Sequence, residues 1–222
     1  MSDTLDNTGS TGLETPSRLL QWPRGFFDAT EGAFDAARYD TAAKNLRRYR
    51  SGQGGLEEYP DEEIARHPAL LDAEDGNRTR FEALTFTGLT GKPALNARLR
   101  NLPDGQSHEF YDEWDTGVPV SRPSTYLAFG KTSVTSDGEF TARRSGDVLT
   151  IRGTVAHGFG QKEVFDFEAD QPGSHPAAVL EGAGEAAPFR MAYDRRQSVE
   201  AELRYEPDGS LTLRRALWGA IR

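Results

Sequence analysis

The stretch that decides the fold reads Gly153-Thr-Val-Ala-His157-Gly-Phe-Gly-Gln-Lys-Glu163-Val-Phe-Asp166-Phe. It begins with alternating side chains, which is typical of a β-strand. It then passes two glycines and ends in a dense group of acidic and aromatic residues. A histidine, two carboxylates and several phenylalanines therefore lie within one short segment, and this segment is the natural place to look for chemistry.

The spacing of apolar residues changes character at Tyr126. Before this residue, apolar side chains recur at helical spacing over residues 33–50 and 68–84, which predicts two helices. After it the period becomes two, and turn residues such as Asp137-Gly138 separate short runs, which predicts seven or eight strands in hairpin order. The sequence thus predicts an α+β fold, in which a helical N-terminal part is followed by an antiparallel half-open β-barrel or meander.

Three regions are expected along the chain. Residues 1–17 are rich in Ser, Thr, Gly and Asp, which favours a disordered tail. Residues 18–123 are expected to form a helical and looped region that packs on the barrel, and residues 124–222 to form the barrel domain. Residues 104–123 show no clear period, so a loop over the core is expected there. The strands are expected to begin with residues 126–130.

Composition excludes several classes of function. The chain has 222 residues, 36% of them hydrophobic and 27% charged, as is usual for soluble globular proteins. Its net charge of −9 argues against nucleic-acid binding through phosphate neutralisation and against adsorption to an anionic membrane. Because the chain has no cysteine, disulfides, thiolate metal sites and a cysteine nucleophile are excluded. No apolar run approaches the roughly 18 residues of a transmembrane helix.

The first residues of the chain are polar and acidic. They lack the basic start and the apolar middle of a secretory signal. We therefore expect synthesis in the cytoplasm without a signal peptide. A protein of this kind that acts outside its cell needs a route of export that does not read such a signal.

Glu163 and Asp166 are the first candidates for chemistry. Residues three apart on a straight strand face opposite sides, because the side-chain period is two. A β-bulge near the glycines would bring the two carboxylates together, and they would then suit a hard cation such as Mg²⁺. The alternative is that both are ordinary carboxylates at the edge of a strand.

Two histidines accompany these carboxylates. His157 lies on the strand between small residues, which favours a hydrogen-bonded, partly buried histidine. His175 lies in a Pro-Gly-Ser-His-Pro segment, which is expected to be a loop. It is a candidate general acid or base, and a surface histidine is the alternative.

A basic cluster closes the first predicted helix and consists of Lys44, Arg47, Arg48 and Arg50. Cations in the last turn of a helix stabilise its dipole. The cluster is therefore expected to have this structural role, with contact to an anion or a lipid headgroup as the functional alternative.

The order of motifs resembles the C-terminal domain of colicin M-type bacteriocins. The matching features are Tyr126-Leu127, Gly153-Thr-Val, and Phe165-Asp166-Phe167 followed by a loop histidine. The resemblance covers residues 124–206, and a similar helix-then-glycine segment lies within residues 33–56. It implies a half-open β-barrel with a helical part, and Mg²⁺-dependent hydrolysis of the peptidoglycan precursor lipid II between its polyprenyl chain and pyrophosphate.

The resemblance also assigns roles. The family's pattern is an acidic residue, a spacer, Tyr-Asp-Phe, and then His-Arg. It implies Asp166 as the central catalytic acid or metal ligand, Glu163 as a second metal ligand and His175 as a general acid or base. Phe165 stands where the pattern has tyrosine, and Pro176 where it has arginine. Arginine binds phosphate oxygens through two parallel hydrogen bonds, so these departures affect the expected reaction more than the expected fold.

Three hypotheses follow. In the first, the chain is an antibacterial toxin or effector that acts in the target periplasm on a lipid-linked cell-wall precursor, with an immunity protein as a possible partner. In the second, it is a non-catalytic binding protein that uses the barrel cleft and the aromatic residues Tyr111 and Trp114. In the third, it perturbs membranes through Trp22, Phe26 and Phe27.

Overall fold

The computed structural model describes residues 19–89, 92–160, 163–167 and 173–221. Its helices are α1 (Gln21–Ala36), α2 (Asp40–Arg50), α3 (Asp61–Ile64), α4 (Pro68–Arg80), α5 (Pro93–Arg100), α6 (Pro123–Phe129) and α7 (Ser174–Gly182), and a π-helical segment (Phe81–Phe86) continues α4. Its strands are β1 (Leu56–Glu58), β2 (Ser107–Gly117), β3 (Ser133–Ser145), β4 (Val148–Phe159), β5 (Val164–Phe165), β6 (Phe189–Ala192), β7 (Arg195–Tyr205) and β8 (Leu211–Ala220).

The strands form two sheets. The larger is fully antiparallel, with the order β2-β3-β4-β7-β8. The smaller has the order β1-β6-β5, with β1 parallel and β5 antiparallel to β6. The predicted α+β class with an antiparallel meander is confirmed. In the described part of the chain the larger sheet ends at β2 and at β8, so it is an open sheet and not a closed barrel.

The elements pack into two units, each of which is discontinuous in sequence. The first unit comprises Met1–Gln53 and Asp166–Ala187 and contains α1, α2 and α7. The second comprises Gly54–Phe165 and Pro188–Arg222 and contains both sheets. This grouping differs from the expected boundary after residue 123, which would separate β2 from β3 although the two are paired along all of β2. The expected tail lies outside the described residues.

Three local predictions are wrong. Residues 126–130, predicted as a strand, belong largely to α6, which begins at Pro123, a residue favoured in the first turn of a helix. The loop expected over residues 104–123 contains β2, whose inward positions include a buried aspartate and therefore hide the apolar alternation. The turn expected at Asp137-Gly138 does not occur, because β3 runs straight through it.

The two predicted helices are confirmed, although each is divided into two segments. The helix expected over residues 33–50 is divided between α1 and α2. Arg38 between them has a φ of 58°, a left-handed conformation that interrupts a right-handed helix. The helix expected over residues 68–84 is α4 and its π-helical continuation.

The first unit is built around three aromatic rings. Phe27 of α1 and Tyr49 of α2 are fully buried. Their rings contact that of Phe167, with centroids 5.2 Å and 5.1 Å from it respectively. On the surface, Arg47 of α2 binds Glu31 and Asp35 of α1. These ion pairs support the structural interpretation of the basic cluster.

The second unit is built around Phe140 on β3. Its ring contacts the rings of Phe81, Phe86 and Phe110, with centroids 5.1–5.4 Å away. The ring also lies directly against two glycines. A Cβ at Gly138 would lie 2.2 Å from the ring, and a Cβ at Gly153 would lie 2.5 Å from it. The close packing of the ring therefore requires glycine at both positions.

Gly153 is further restricted by the backbone of the neighbouring strand. A Cβ on Gly153 would lie 2.2 Å from the carbonyl oxygen of Glu139, so the two strands would have to separate to remove this clash. We expect Gly153→Ala to lower the free energy of unfolding by at least about 2 kcal/mol, because overpacking a filled core displaces backbone and side chains. Urea denaturation followed by circular dichroism measures this change.

The matched control is Gly117→Ala, also a strand glycine of the large sheet. A Cβ there would meet no atom within 4 Å. Equal losses of stability in the two variants would show that the loss comes from replacing any strand glycine, and not from the contact with Phe140 and Glu139.

Candidate functional site

Asp166 and His175 belong to the same unit and are both exposed. Asp166 follows β5 and precedes Phe167, whose ring is held by Phe27 and Tyr49. His175 lies in the first turn of α7, so the loop expected around it is a helix start. These two predicted site residues therefore lie in the same unit.

A close contact joins the two ends of this segment. Gly173, two residues before His175, packs on the ring of Phe167, since a Cβ at Gly173 would lie 3.3 Å from that ring. Gly173 also has a φ of 98°, which favours glycine. The ring of Phe167, the residue after Asp166, thus packs against the start of α7, which carries His175.

Tyr49 and Glu181 belong to the same unit as Asp166. The Tyr49 hydroxyl donates a hydrogen bond to Glu181 of α7. Burial raises the pKa of Tyr49 most strongly, and the hydrogen bond to Glu181 and the negative charges of Glu181 and Asp166 raise it further. Tyr49 therefore remains a hydrogen-bond donor at neutral pH.

His175 packs beside an exposed aromatic residue. The ring centroids of His175 and Trp22 are 6.1 Å apart, and Trp22 is 60% exposed. Phe27, by contrast, is fully buried in the core of the unit. Of the three aromatic residues assigned to membrane contact, Phe27 is thus unavailable to a membrane in this fold. None of the helices in the described ranges is long and apolar enough to span a bilayer.

Glu163 lies in the other unit, beside the large sheet. It accepts a hydrogen bond from the Ser133 backbone N–H, with an N–O distance of 3.2 Å. Burial raises the pKa of Glu163, the negative charge of Asp115 adds to the rise, and hydrogen bonds from Thr132 and Ser133 oppose it. Glu163 therefore holds its proton more tightly than an ordinary glutamate does.

A cleft of about 540 Å³ opens on the outer face of this sheet. Its lining is acidic and aromatic and consists of Tyr111, Glu113, Trp114, Asp115, Thr135, Asp137, Gly158 and Phe159. The ring of Tyr111 is half exposed, and its hydroxyl lies 2.8 Å from a Glu113 carboxylate oxygen and 2.6 Å from an Asp137 carboxylate oxygen. Three carboxylates and a fixed phenol thus converge on one concave surface.

Trp114 has a structural contact within this cleft. Its indole N–H donates to the Thr85 hydroxyl, which in turn donates to the buried carboxylate of Asp112. Lys92 pairs with the same carboxylate. Replacing Trp114 would therefore disturb the core, and Tyr111 is the better probe of ligand binding at the cleft.

His157 is confirmed as a buried, hydrogen-bonded histidine and is only 1% exposed. Its Nδ1 lies 2.7 Å from the Ser136 hydroxyl and its Nε2 lies 3.3 Å from the Gln197 side-chain oxygen. Asn77 of α4 donates to the same Ser136 hydroxyl and so links the helix to the sheet. Because Ser136 is also fully buried, this pair has no access to a substrate and serves the packing of the core.

The donor chemistry of Glu163 and Asp166 suits Mg²⁺, which prefers carboxylate oxygens. The arrangement does not complete a metal site. In residues 19–89, 92–160, 163–167 and 173–221, no group of three or more histidine or acidic side chains is placed to hold a metal ion.

No family model matches the chain, and no curated protein matches it. Among solved structures, it is similar to PaeM, a colicin M-like bacteriocin produced by Pseudomonas aeruginosa. The identity is 15%, the TM-score is 0.31, and the match covers 71% of this chain and 50% of PaeM. The chain thus spans about half the length of that protein. A likeness of this size is a distant structural relationship.

The burial of His157 leads to a prediction about pH. Burial lowers the pKa of His157 to about 4. An unfolded histidine titrates near 6.5, so the unfolded chain gains a proton first as pH falls. We expect this residue to remove about 3 kcal/mol of stability between pH 6.5 and 4, since one pKa unit corresponds to about 1.4 kcal/mol.

The measurement compares unfolding curves of the native sequence and His157→Gln across this pH range. Burial raises the pKa of Glu74 and Glu163, so these two groups add stability as pH falls. Because they do so in both proteins, the difference between the two free energies of unfolding isolates the effect of the histidine. The difference should shrink as pH falls. His175→Gln, which replaces an exposed histidine, is the control, and parallel curves for His157→Gln would contradict the prediction.

Proposed function

We propose that the chain is a bacteriocin-like antibacterial toxin that hydrolyses a lipid-linked peptidoglycan precursor between its polyprenyl chain and pyrophosphate. The observation that carries the proposal is the presentation of Asp166 and His175, two exposed groups suited to proton transfer, on either side of the Phe167–Gly173 contact. The order of motifs around them, described from the sequence, supplies the substrate class.

Each residue has a role in this proposal. Asp166 accepts a proton from the water that attacks phosphorus, and His175 donates a proton to the departing polyprenyl oxygen. The phosphorylated fragment thereby gains the hydroxyl group of the water, and the polyprenyl alcohol gains a proton.

The two departures from the family pattern have a packing explanation. Phe165 is buried and stacks on Phe189 in the small sheet, with centroids 5.2 Å apart. A tyrosine hydroxyl at this position would need a buried partner. Pro176 is likewise buried in α7, where an arginine head would lose its solvation. The phosphate charge must then be stabilised by other groups, and a requirement for Mg²⁺, testable with EDTA, belongs to the proposal.

The proposal includes a location and a partner. The protein would be made in the cytoplasm, exported and active in the periplasm of a target cell. A producing bacterium would need an immunity protein against it.

A toxicity assay tests the proposal. The native sequence and Asp166→Asn are expressed in a sensitive bacterium, each with and without a periplasmic export signal. We expect killing only by the exported native protein, because replacing a group that transfers protons lowers the catalytic rate by about 100-fold or more. Colony counts after induction measure the effect.

Asp40→Asn is the matched control. Asp40 is an exposed aspartate of the same unit, in the first turn of α2, and its replacement should leave killing intact. Killing that persists in Asp166→Asn would contradict the assigned role, and killing from the cytoplasm would contradict the assigned substrate.

The cleft on the large sheet favours a second candidate function, a non-catalytic binding protein. The half-exposed Tyr111 ring stands at a concave surface with Glu113 and Asp137 bound to its hydroxyl. In this case Tyr111→Ala would abolish the biological effect, whereas Asp166→Asn would leave it unchanged. The same toxicity assay distinguishes the two candidates.

A further inference from the structure

Helix α1 of the first unit has three faces. The first is buried and contains Pro23 and Phe27. The second is charged, because residues spaced three or four apart share one side of a helix, and it consists of Arg24, Asp28, Glu31 and Asp35. The third is apolar by the same spacing and consists of Trp22, Gly25, Phe26, Ala29, Ala33 and Ala36. Among the side chains of this apolar face, the Trp22 indole N–H is the only polar group.

The apolar face of α1 is open to solvent. Trp22 is largely exposed, Phe26 is partly exposed, and the four small residues of the face are exposed. The rings of Trp22 and Phe26 lie side by side, with centroids 6.4 Å apart. A Cβ on Gly25 would meet no described atom within 4 Å. Continuous exposed apolar surface beside polar residues is typical of a binding site.

One end of this face lies beside His175. The ring centroids of Trp22 and His175 are 6.1 Å apart. Two contacts hold α1 against this part of the unit. A Cβ on Gly173, directly before α7, would lie 3.1 Å from the ring of Phe26, and Arg24 Nε donates to the Glu185 carboxylate over 2.7 Å. The apolar face and the imidazole are therefore neighbours within one unit.

The chemistry of the face favours a hydrocarbon chain as its ligand. A peptide or a sugar would lose the hydration of its polar groups there and find almost no partners. In the proposed reaction His175 protonates the oxygen that leaves with the polyprenyl chain, so the chain begins beside Trp22. Helix α1 has 16 residues and is about 24 Å long, which gives an extended chain a continuous track.

We propose that the apolar face of α1 binds the polyprenyl chain of the lipid-linked substrate, with Trp22 nearest to the bond that is cleaved. This inference rests on the proposed hydrolysis and names the surface that recognises the lipid. Trp22 and Phe26 supply aromatic contact, while Gly25 and Ala29 let the chain lie close to the helix. The two aromatic residues thus act on the substrate and not on the bilayer.

The first test measures binding and does not depend on cleavage. Farnesyl pyrophosphate, a water-soluble prenyl pyrophosphate, is titrated by calorimetry into the full chain carrying Asp166→Asn, so that the ligand is not consumed. We expect Trp22→Ala in this background to raise the dissociation constant by about tenfold or more, the order expected when one aromatic contact is lost. Inorganic pyrophosphate, which lacks a prenyl chain, should show no difference between the two proteins.

A second variant, Ala29→Gln, tests the face without removing a ring. It should also raise the dissociation constant, because the added amide would lose its hydration under the chain. The matched controls lie in the second unit. Leu217 is 57% exposed, close to the 60% of Trp22, and Ala94 is an exposed alanine of α5. Leu217→Ala and Ala94→Gln should leave the affinity unchanged, and equal affinities in all four variants would overturn the inference.

A bilayer surface and a second copy of the chain are the alternative occupants of the face. The acidic charge of the neighbouring face and the net charge of −9 disfavour an anionic bilayer. The protein is therefore sedimented with phosphatidylcholine vesicles that lack lipid II, and its mass is measured by analytical ultracentrifugation. Vesicle binding that Trp22→Ala abolishes would overturn the inference, and so would a dimer that Trp22→Ala dissociates.

Cleavage separates this inference from the hydrolase proposal. If the native sequence cleaves lipid II, Trp22→Ala should lower kcat/KM by about tenfold or more, and it should not affect an analogue shortened to one prenyl unit. An equal loss with both substrates would overturn the inference and leave the hydrolase proposal standing. If the native sequence cleaves neither substrate, the hydrolase proposal fails. The binding of farnesyl pyrophosphate then decides whether the face holds prenyl chains.

Discussion

The contact of Phe140 with two glycines is the constraint on which the second unit depends. The ring occupies the positions that a Cβ of Gly138 or Gly153 would take, and it meets three further phenylalanine rings. The backbones of β3 and β4 also approach more closely at Gly153 than a Cβ would allow. Close packing of this kind restricts each position to one side chain, and it fixes the register of the central strands.

That register places polar residues in two layers of different character. On the inner face, Asn77, Ser136 and His157 form a buried chain of hydrogen bonds between helix and sheet. Burial of this chain penalises a positive charge, which is why protonation of His157 is unfavourable. On the outer face, Tyr111 and Asp115 border an open cleft. The same strands therefore supply both a neutral polar core and an acidic surface.

Much of the fold follows from the sequence, because the hydrophobic period changes from helical to alternating near the middle of the chain. Strand β4 was predicted, and the single helix predicted over residues 33–50 covers α2 and the last turn of α1. Strand β2 escaped prediction because its inward-facing Asp112 is stabilised by Lys92, twenty positions earlier in the chain, and such partners are not visible in local patterns.

The candidate site was predictable only in part. Asp166 and His175 could be selected from residue type and order, and the structure presents both on one unit. The contacts of Asp115 and Glu163 with Ser133 depend on strand pairing between distant segments, which no spacing rule reveals. The hydrogen bond from Tyr49 to Glu181 likewise depends on tertiary packing, since the two residues lie far apart in sequence.

The most direct test of the hydrolase proposal is cleavage of lipid II by the purified protein with Mg²⁺ present. The products would be separated by chromatography and the phosphorylated fragment identified by mass spectrometry. The proposal predicts release of a pyrophosphate-linked fragment and a free polyprenyl alcohol by the native sequence, and their loss in Asp166→Asn. Intact lipid II after incubation with the folded native protein would contradict it.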